Sequence, residues 1–270
     1  MKHYLANITW KCQLKCSYCW VRKHINKIPE LTGVQDRPYE DWNAAIKRDQ
    51  PEIMDIGGGE PLSVPWVLDW MRDNPKVAFG LSTNGLDTDK IDELARRPLS
   101  NIININLSYH PEAAAIYPWY DKQWKGQVIR LLTTGYVLSP NLEDTGKNVE
   151  RSQWAINWLK SLGIHMVVSP LCGGRKELAK PQPLALECKG GVNYITIAPD
   201  GRAWPCLSSL NSYAWDSTSI GNWLDDTIDL SNKPDPCNLF CVEYFIQYQQ
   251  HEAGDFWGIE AHPKGVECES

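Results

Sequence analysis

The chain has 270 residues with 27 basic and 33 acidic side chains, a formal net charge of −6 that argues against an extended nucleic-acid-binding surface. Its 43% hydrophobic and 22% charged fractions are ordinary globular values, which exclude disorder as the main state and leave room for one large domain or two small ones. No apolar run approaches the ~18 residues of a membrane span, and the N-terminal segment has neither an apolar h-region nor a small-residue cleavage site. These features imply a cytoplasmic protein with no membrane partner. In a reducing compartment nine cysteines do not read as a disulfide framework, and metal or cluster ligation, catalysis or burial remain for them. The 13 tryptophans are scattered and read as core or substrate-pocket packing.

In chain order, Lys2–Trp10 is β-branched and aromatic and reads as a strand leading into a cysteine-rich loop. Tyr39–Lys47 reads as a helix. Ile53–Ile56 is a short apolar strand running into Gly57-Gly58-Gly59, and Val64–Arg72 is helical with Pro65 near its first turn. Val77–Ser82 is a strand ending in the turn signal Thr83-Asn84-Gly85, and Asp87 sits as an N-cap for a helix to Arg96. Asn101–Leu107 is the clearest strand, and Lys122–Leu132 is helical. A short strand follows at Tyr136–Ser139, then an amphipathic helix over Val149–Leu162 closed by Gly163, then a strand at Ile164–Val168. Repeated βα alternation implies a parallel sheet with helices on its outer face. About six units suit an open, partial (β/α)6 TIM-like barrel, an α/β fold whose reactive rim lies at the C-terminal strand ends. The unusual residues fall on that rim: the cysteine loop, the glycine run, Ser82 and Asn84, Ser108 and His110, and Cys172. Residues 1–174 form this unit. Residues 175–270 differ, with a hairpin-like stretch (Asn193–Ile197, Pro199-Asp200-Gly201, Ala203–Cys206) and a cysteine-bearing segment before an aromatic helix at Val242–His251.

Cys12, Cys16 and Cys19 form a C-x3-C-x2-C loop. Closely spaced thiolates hold iron–sulfur clusters, and three ligands leave one iron open for a small molecule. A zinc site completed from afar, or three buried cysteines, are the alternatives. With an aromatic residue before the third cysteine, and with Gly58-Gly59-Glu60-Pro61 after the second strand, the chain resembles the radical S-adenosylmethionine (SAM) superfamily over residues 1 to about 172. The resemblance implies that Cys12, Cys16 and Cys19 hold a [4Fe-4S] cluster whose open iron chelates SAM. Tyr18 would pack near the adenine. Gly58, Gly59 and Glu60 would present backbone and carboxylate groups to the methionyl ammonium, and Ser82, Asn84 and Ser108 would hydrogen-bond the ribose or carboxylate. It further implies a 5′-deoxyadenosyl radical that abstracts a substrate hydrogen atom, with the protein supplying position and a dry cavity.

The stretch from Cys188 through Gly201 to Cys206 resembles the opening of the SPASM/twitch extension of many radical SAM enzymes, with Cys237 and Cys241 as the other two ligands. The chain lacks the intervening C-x2-C-x5-C run of the full pattern, so it resembles the truncated twitch form, a small hairpin/helix domain with one auxiliary [4Fe-4S] cluster. A four-cysteine zinc site, or three ligands with an open iron, are the other readings. A fully ligated auxiliary cluster implies electron transfer and hence net oxidation. Cys172, on the rim, could instead return a hydrogen atom to a substrate radical, as in an epimerase. His110 is placed as a general base, Arg175 and Lys176 could meet an anionic group, and Cys268 reads as an inert tail residue. The first expectation is thus oxidation or epimerisation of a small, carbohydrate- or cyclitol-like molecule. A maturase of ribosomally made peptides is the alternative, made less favoured because 11 residues precede Cys12 and leave no room for a fused leader-binding domain. A flavodoxin or ferredoxin would supply electrons, the basic patch at residues 21–27 being a candidate docking face.

Overall fold

In the computed structural model, residues 2–19, 21–22, 34–144, 148–164, 166–170, 194–205 and 219–229 are described. Alternation of side chains along each strand gives the sheet two chemically distinct faces. One face carries Tyr4, Ala6 and Ile8 from β1 (His3–Thr9), Met54 and Ile56 from β2 (Ile53–Gly58), Phe79 and Leu81 from β3 (Ala78–Thr83), and Ile105, Leu107 and Tyr109 from β4 (Ile102–Tyr109), all buried. The helices cover this apolar face. They are α1 (Tyr39–Asp49), α2 (Val67–Asp73), α3 (Thr88–Arg96), α4 (Pro111–Ile116), α5 (Tyr120–Thr134) and α6 (Val149–Ser161). Trp124, Val128 and Leu131 of α5 recur at the spacing that puts one helical stripe on the sheet. Trp42, Trp70 and Phe79 interlock edge-to-face or tilted, with ring centroids 5.5–5.7 Å apart, so these tryptophans are core, as expected.

The strand order is β6-β5-β4-β3-β2-β1-β7-β8-β9, with β5 (Asn141–Asp144), β6 (Val167–Pro170), β7 (Tyr194–Ile197), β8 (Arg202–Trp204) and β9 (Gly221–Asn222). Neighbours from β1 to β6 are all parallel, as the βα alternation demands. The expected hairpin forms: β7 and β8 pair antiparallel around Gly201, whose φ of +92° suits glycine. It does not stand apart from the sheet, because β7 pairs parallel with β1. The following segment is fastened there too. Trp223 packs on Tyr4 and Trp42 and donates its indole N–H to Asp49 at 2.9 Å, and Arg37 grips Asp225 with two nitrogens. The expected domain boundary at 174/175 lies outside the described residues, as does the aromatic helix at 242–251.

Two local expectations are corrected and one helix is added. The strand expected at Tyr136–Ser139 is a single bridge of Leu138 to Ile105. Pro140 has no N–H to continue the ladder, and β5 forms directly after it. The helix expected from Val64 begins only at Val67, as α2, with Pro65 in the break between it and a 3-10 turn at Pro61–Ser63. Helix α4, with its Pro at the first position and Glu112 in the first turn, is an element that periodicity did not mark. Among the described residues no helix is long and apolar enough to cross a membrane.

Candidate active site at the strand ends

The cysteine loop after β1 is held from the ends of β2, β3 and β4. Gly59 N–H donates to Thr9 O at 2.7 Å and Glu60 N–H to Lys11 O at 2.8 Å, so the end of β2 runs flush against the start of the loop. This contact explains two glycines. A Cβ on Gly58 would lie 2.3 Å from Thr9 O, with φ at +112°, and one on Gly59 would lie 2.2 Å from Lys11 O. Only glycine fits both places. Gly57 is different, for its Cβ would meet nothing closer than 3.8 Å.

Glu60 is 1% exposed. Its Oε1 accepts from Leu62 N–H at 3.0 Å and the Thr83 hydroxyl at 2.6 Å, and its Oε2 accepts from Asn84 N–H at 2.8 Å. Burial pushes the carboxyl up to about 7, against those three donors, which favour the anion. The carboxylate thereby ties the glycine motif to the end of β3. Asn84 continues the link. Its side-chain N–H faces Cys12 Sγ at 3.7 Å, while its Oδ1 accepts from Leu86 N–H and Gln13 Nε2.

The end of β4 supplies two more clamps. Glu112 accepts from both the backbone N–H and the hydroxyl of Ser17, between the second and third cysteines. His110 Nδ1 lies 2.7 Å from the Tyr18 hydroxyl and 3.5 Å from Cys16 Sγ, and the two rings stack with planes 14° apart. Burial pulls the imidazole down to about 4, so it is neutral. Its backbone N–H donates to the Tyr120 hydroxyl at 3.0 Å. Glu112, Thr83, Gln13 and Tyr120 were not singled out from the sequence. The Pro-Glu pair after His110 marks a helix start and is the one signal for Glu112, but its partner lies 95 residues away.

Ser82 and Ser108 stand on the sheet face opposite the helices, in register with Asn106 and Asn141. Cys172, Cys188, Cys206, Cys237, Cys241, Cys268, Arg175 and Lys176 lie outside the described residues.

The three loop cysteines are free thiols, Cys12 exposed, Cys16 buried and Cys19 between. Burial pushes Cys16 up to about 11, with contributions from Cys19 and Cys12, and Cys12 is raised by its own burial and by Cys19. The sulfurs therefore lie within electrostatic reach of one another. Among the described residues no three His, Cys, Asp or Glu side chains are grouped to hold a single metal ion.

The family model for the radical SAM superfamily matches residues 6–180. The chain belongs to the radical SAM superfamily. No curated protein matches the chain in sequence. Among solved structures, it resembles Streptococcus suis SuiB bound to precursor peptide SuiA, at 13% identity and a TM-score of 0.57, covering 87% of this chain and 65% of SuiB. It also resembles native anSMEcpe with bound AdoMet and Cp18Cys peptide, at 14% identity and a TM-score of 0.55, covering 83% of this chain and 78% of that one. Native anSMEcpe with bound AdoMet matches at 14% identity and a TM-score of 0.55, with 84% and 79% covered. These likenesses show the shared fold, a partial radical SAM barrel. Membership implies a [4Fe-4S] cluster and SAM, and the three free thiols of Cys12, Cys16 and Cys19, carried on one loop, fit that cluster.

Proposed function

We propose that this radical SAM enzyme acts on a peptide, abstracting hydrogen from a residue held against the polar face of the sheet. The observation that carries this reading is the chemistry of that face. Register pairing aligns Leu5, Asp55, Gly80 and Asn104 across β1 to β4, Ser82 with Asn106, and Ser108 with Asn141. The amide oxygens of Asn104, Asn106 and Asn141 are buried with no hydrogen-bond partner among the described residues. Each such group costs about 1–3 kcal/mol, which a ligand bearing N–H donors would recover. The ionisable groups aligned there, His3 and Asp55, hydrogen-bond each other at 2.7 Å. The face thus suits a neutral, amide-bearing ligand. SuiB with its precursor peptide and anSMEcpe with its Cp18Cys peptide support the same choice over a cyclitol-like molecule.

Within this reading, Cys12, Cys16 and Cys19 would hold the cluster. The backbone of Gly58, Gly59 and Glu60 would serve the methionyl ammonium, because the Glu60 carboxylate is engaged inside the chain. When bound, the cluster and SAM supply the 5′-deoxyadenosyl radical on reduction. Ser82 and Ser108 line the face where the ribose and substrate would lie. The hairpin supports an auxiliary cluster on Cys188, Cys206, Cys237 and Cys241, and its electron-accepting role would make the outcome oxidative. Cys172 would act as hydrogen donor if the reaction is an epimerisation.

The test is anaerobic reconstitution followed by reduction with SAM. Formation of 5′-deoxyadenosine should rise on adding peptides encoded beside the gene, and a rise with polyols instead would reject the peptide reading. Roughly eight irons per chain are expected for two cubanes, and roughly four would remove the auxiliary cluster. Turnover in D2O separates the outcomes, since an epimerase incorporates solvent deuterium into product. Replacing Asn104 with leucine should cut peptide-dependent turnover about tenfold, on the scale of one lost buried hydrogen bond, while SAM cleavage without peptide is unchanged.

A further inference from the structure

His110 follows β4 with its ring against the cysteine loop, where it touches one thiol and the tyrosine between two of them. We propose that His110 and Tyr18 act as a paired hydrogen-bond donor to the Cys16 sulfur and thereby set the reduction potential of the cluster that the loop holds. The inference rests on the family assignment and not on the identity of the substrate.

The argument is one of donors and acceptors. Once Cys16 ligates iron it is a thiolate, which only accepts. His110 Nδ1 lies 3.5 Å from that sulfur and 2.7 Å from the Tyr18 oxygen, and Tyr18 also hydrogen-bonds Cys16. One ring nitrogen carries at most one hydrogen. With the hydrogen on Nδ1, the imidazole donates toward the sulfur and the tyrosine oxygen, and the Tyr18 O–H is free to donate to the sulfur. With Nδ1 bare, Tyr18 must donate to the ring, and the thiolate loses both donors. Ligation of Cys16 therefore selects the first tautomer.

The pair is also held rigidly. Tyr18 and His110 are stacked, the His110 backbone donates to the buried Tyr120, and Glu112, two residues on, grips Ser17 through both carboxylate oxygens. A donor fixed in this way is what a tuning role requires. Hydrogen bonds to cluster sulfurs favour the more negative, reduced state, and so raise the potential. His110 acts through Cys16 and is a positioning residue.

The experiment is an EPR-monitored redox titration of the reconstituted full chain, following the signal that changes when SAM is added. His110→Ala and Tyr18→Phe should each lower the ratio of reduced to oxidised cluster three- to tenfold at the potential where half of the unaltered cluster is reduced, tenfold being about 59 mV for a one-electron couple. His110→Asn, whose amide N–H stands near the place of Nδ1, should recover most of the loss. Should His110→Ala fail to take up iron, Tyr18→Phe carries the test, since it removes one oxygen and keeps the stacked ring. The proposal is overturned if Tyr18→Phe and any loaded His110→Ala titrate with the unaltered protein, or if His110→Asn behaves as His110→Ala. Lost turnover with unchanged potentials overturns it as well, and would assign His110 to substrate chemistry.

Discussion

Replacing Gly59 with alanine is expected to abolish cluster loading as completely as replacing Cys16 itself. The added methyl would lie 2.2 Å from Lys11 O and 2.7 Å from the carbonyl carbons of Lys11 and Trp10, all backbone atoms of the strand end that launches Cys12. No side chain can rotate away, so either β2 or the cysteine loop must move. Overpacking of this kind costs about 1–3 kcal/mol even where the neighbours yield, and here the yielding part is the ligand loop. Gly58→Ala should fail in the same way, with the added strain of its φ of +112°. Gly57→Ala is the control, because its methyl would make only ordinary contacts at 3.8 Å with Asn7 and Leu5. Iron content and the visible charge-transfer band after reconstitution check all three. Full loading of Gly59→Ala would show that the interlock of glycine motif and cysteine loop is dispensable.

Glu60 should make the metal-free protein more stable in mild acid than at neutral pH. A carboxyl raised from 4.5 to about 7 in the folded state binds its proton more tightly there than in the unfolded chain. Its contribution is fully present below about pH 4.5 and is lost as the pH rises through about 7, a change of about 3 kcal/mol. Urea denaturation of the apoprotein between pH 4.5 and 8 should reveal this slope. Glu60→Gln should remove it, and persistence of the slope in that variant would assign it to another group. Glu60→Gln also turns an amide N–H toward the Asn84 N–H, and Glu60→Ala strands three donors, at about 1–3 kcal/mol for each unsatisfied group. The alanine variant is thus expected to be the more damaged, and to loosen Asn84 from Cys12.

The strands and most helices were legible in the sequence because their signals are local. Alternation marks Ile102–Tyr109, and the Asp87 side chain caps α3 on Lys90 N–H as its position implies. The cysteine spacing and the glycine motif were legible for the same reason. What the sequence did not disclose is which groups these motifs face. Gly58 and Gly59 read as room for a ligand, and the structure shows that they are also pressed against the cysteine loop. Ser17 and Glu112 are separated by 95 residues, and no spacing rule joins them. The displaced β5 turned on one missing N–H at Pro140, a small effect that periodicity alone does not weigh.

The clamps from β2, β3 and β4 have a consequence for how the loop can open. A cysteine loop fixed by Thr9, Gly59, Gln13, Ser17 and Tyr18 contacts cannot swing out without breaking bonds to three strand ends. Its opening is therefore coupled to loosening of the sheet rim, and proteolysis within the loop should be as slow as that larger event.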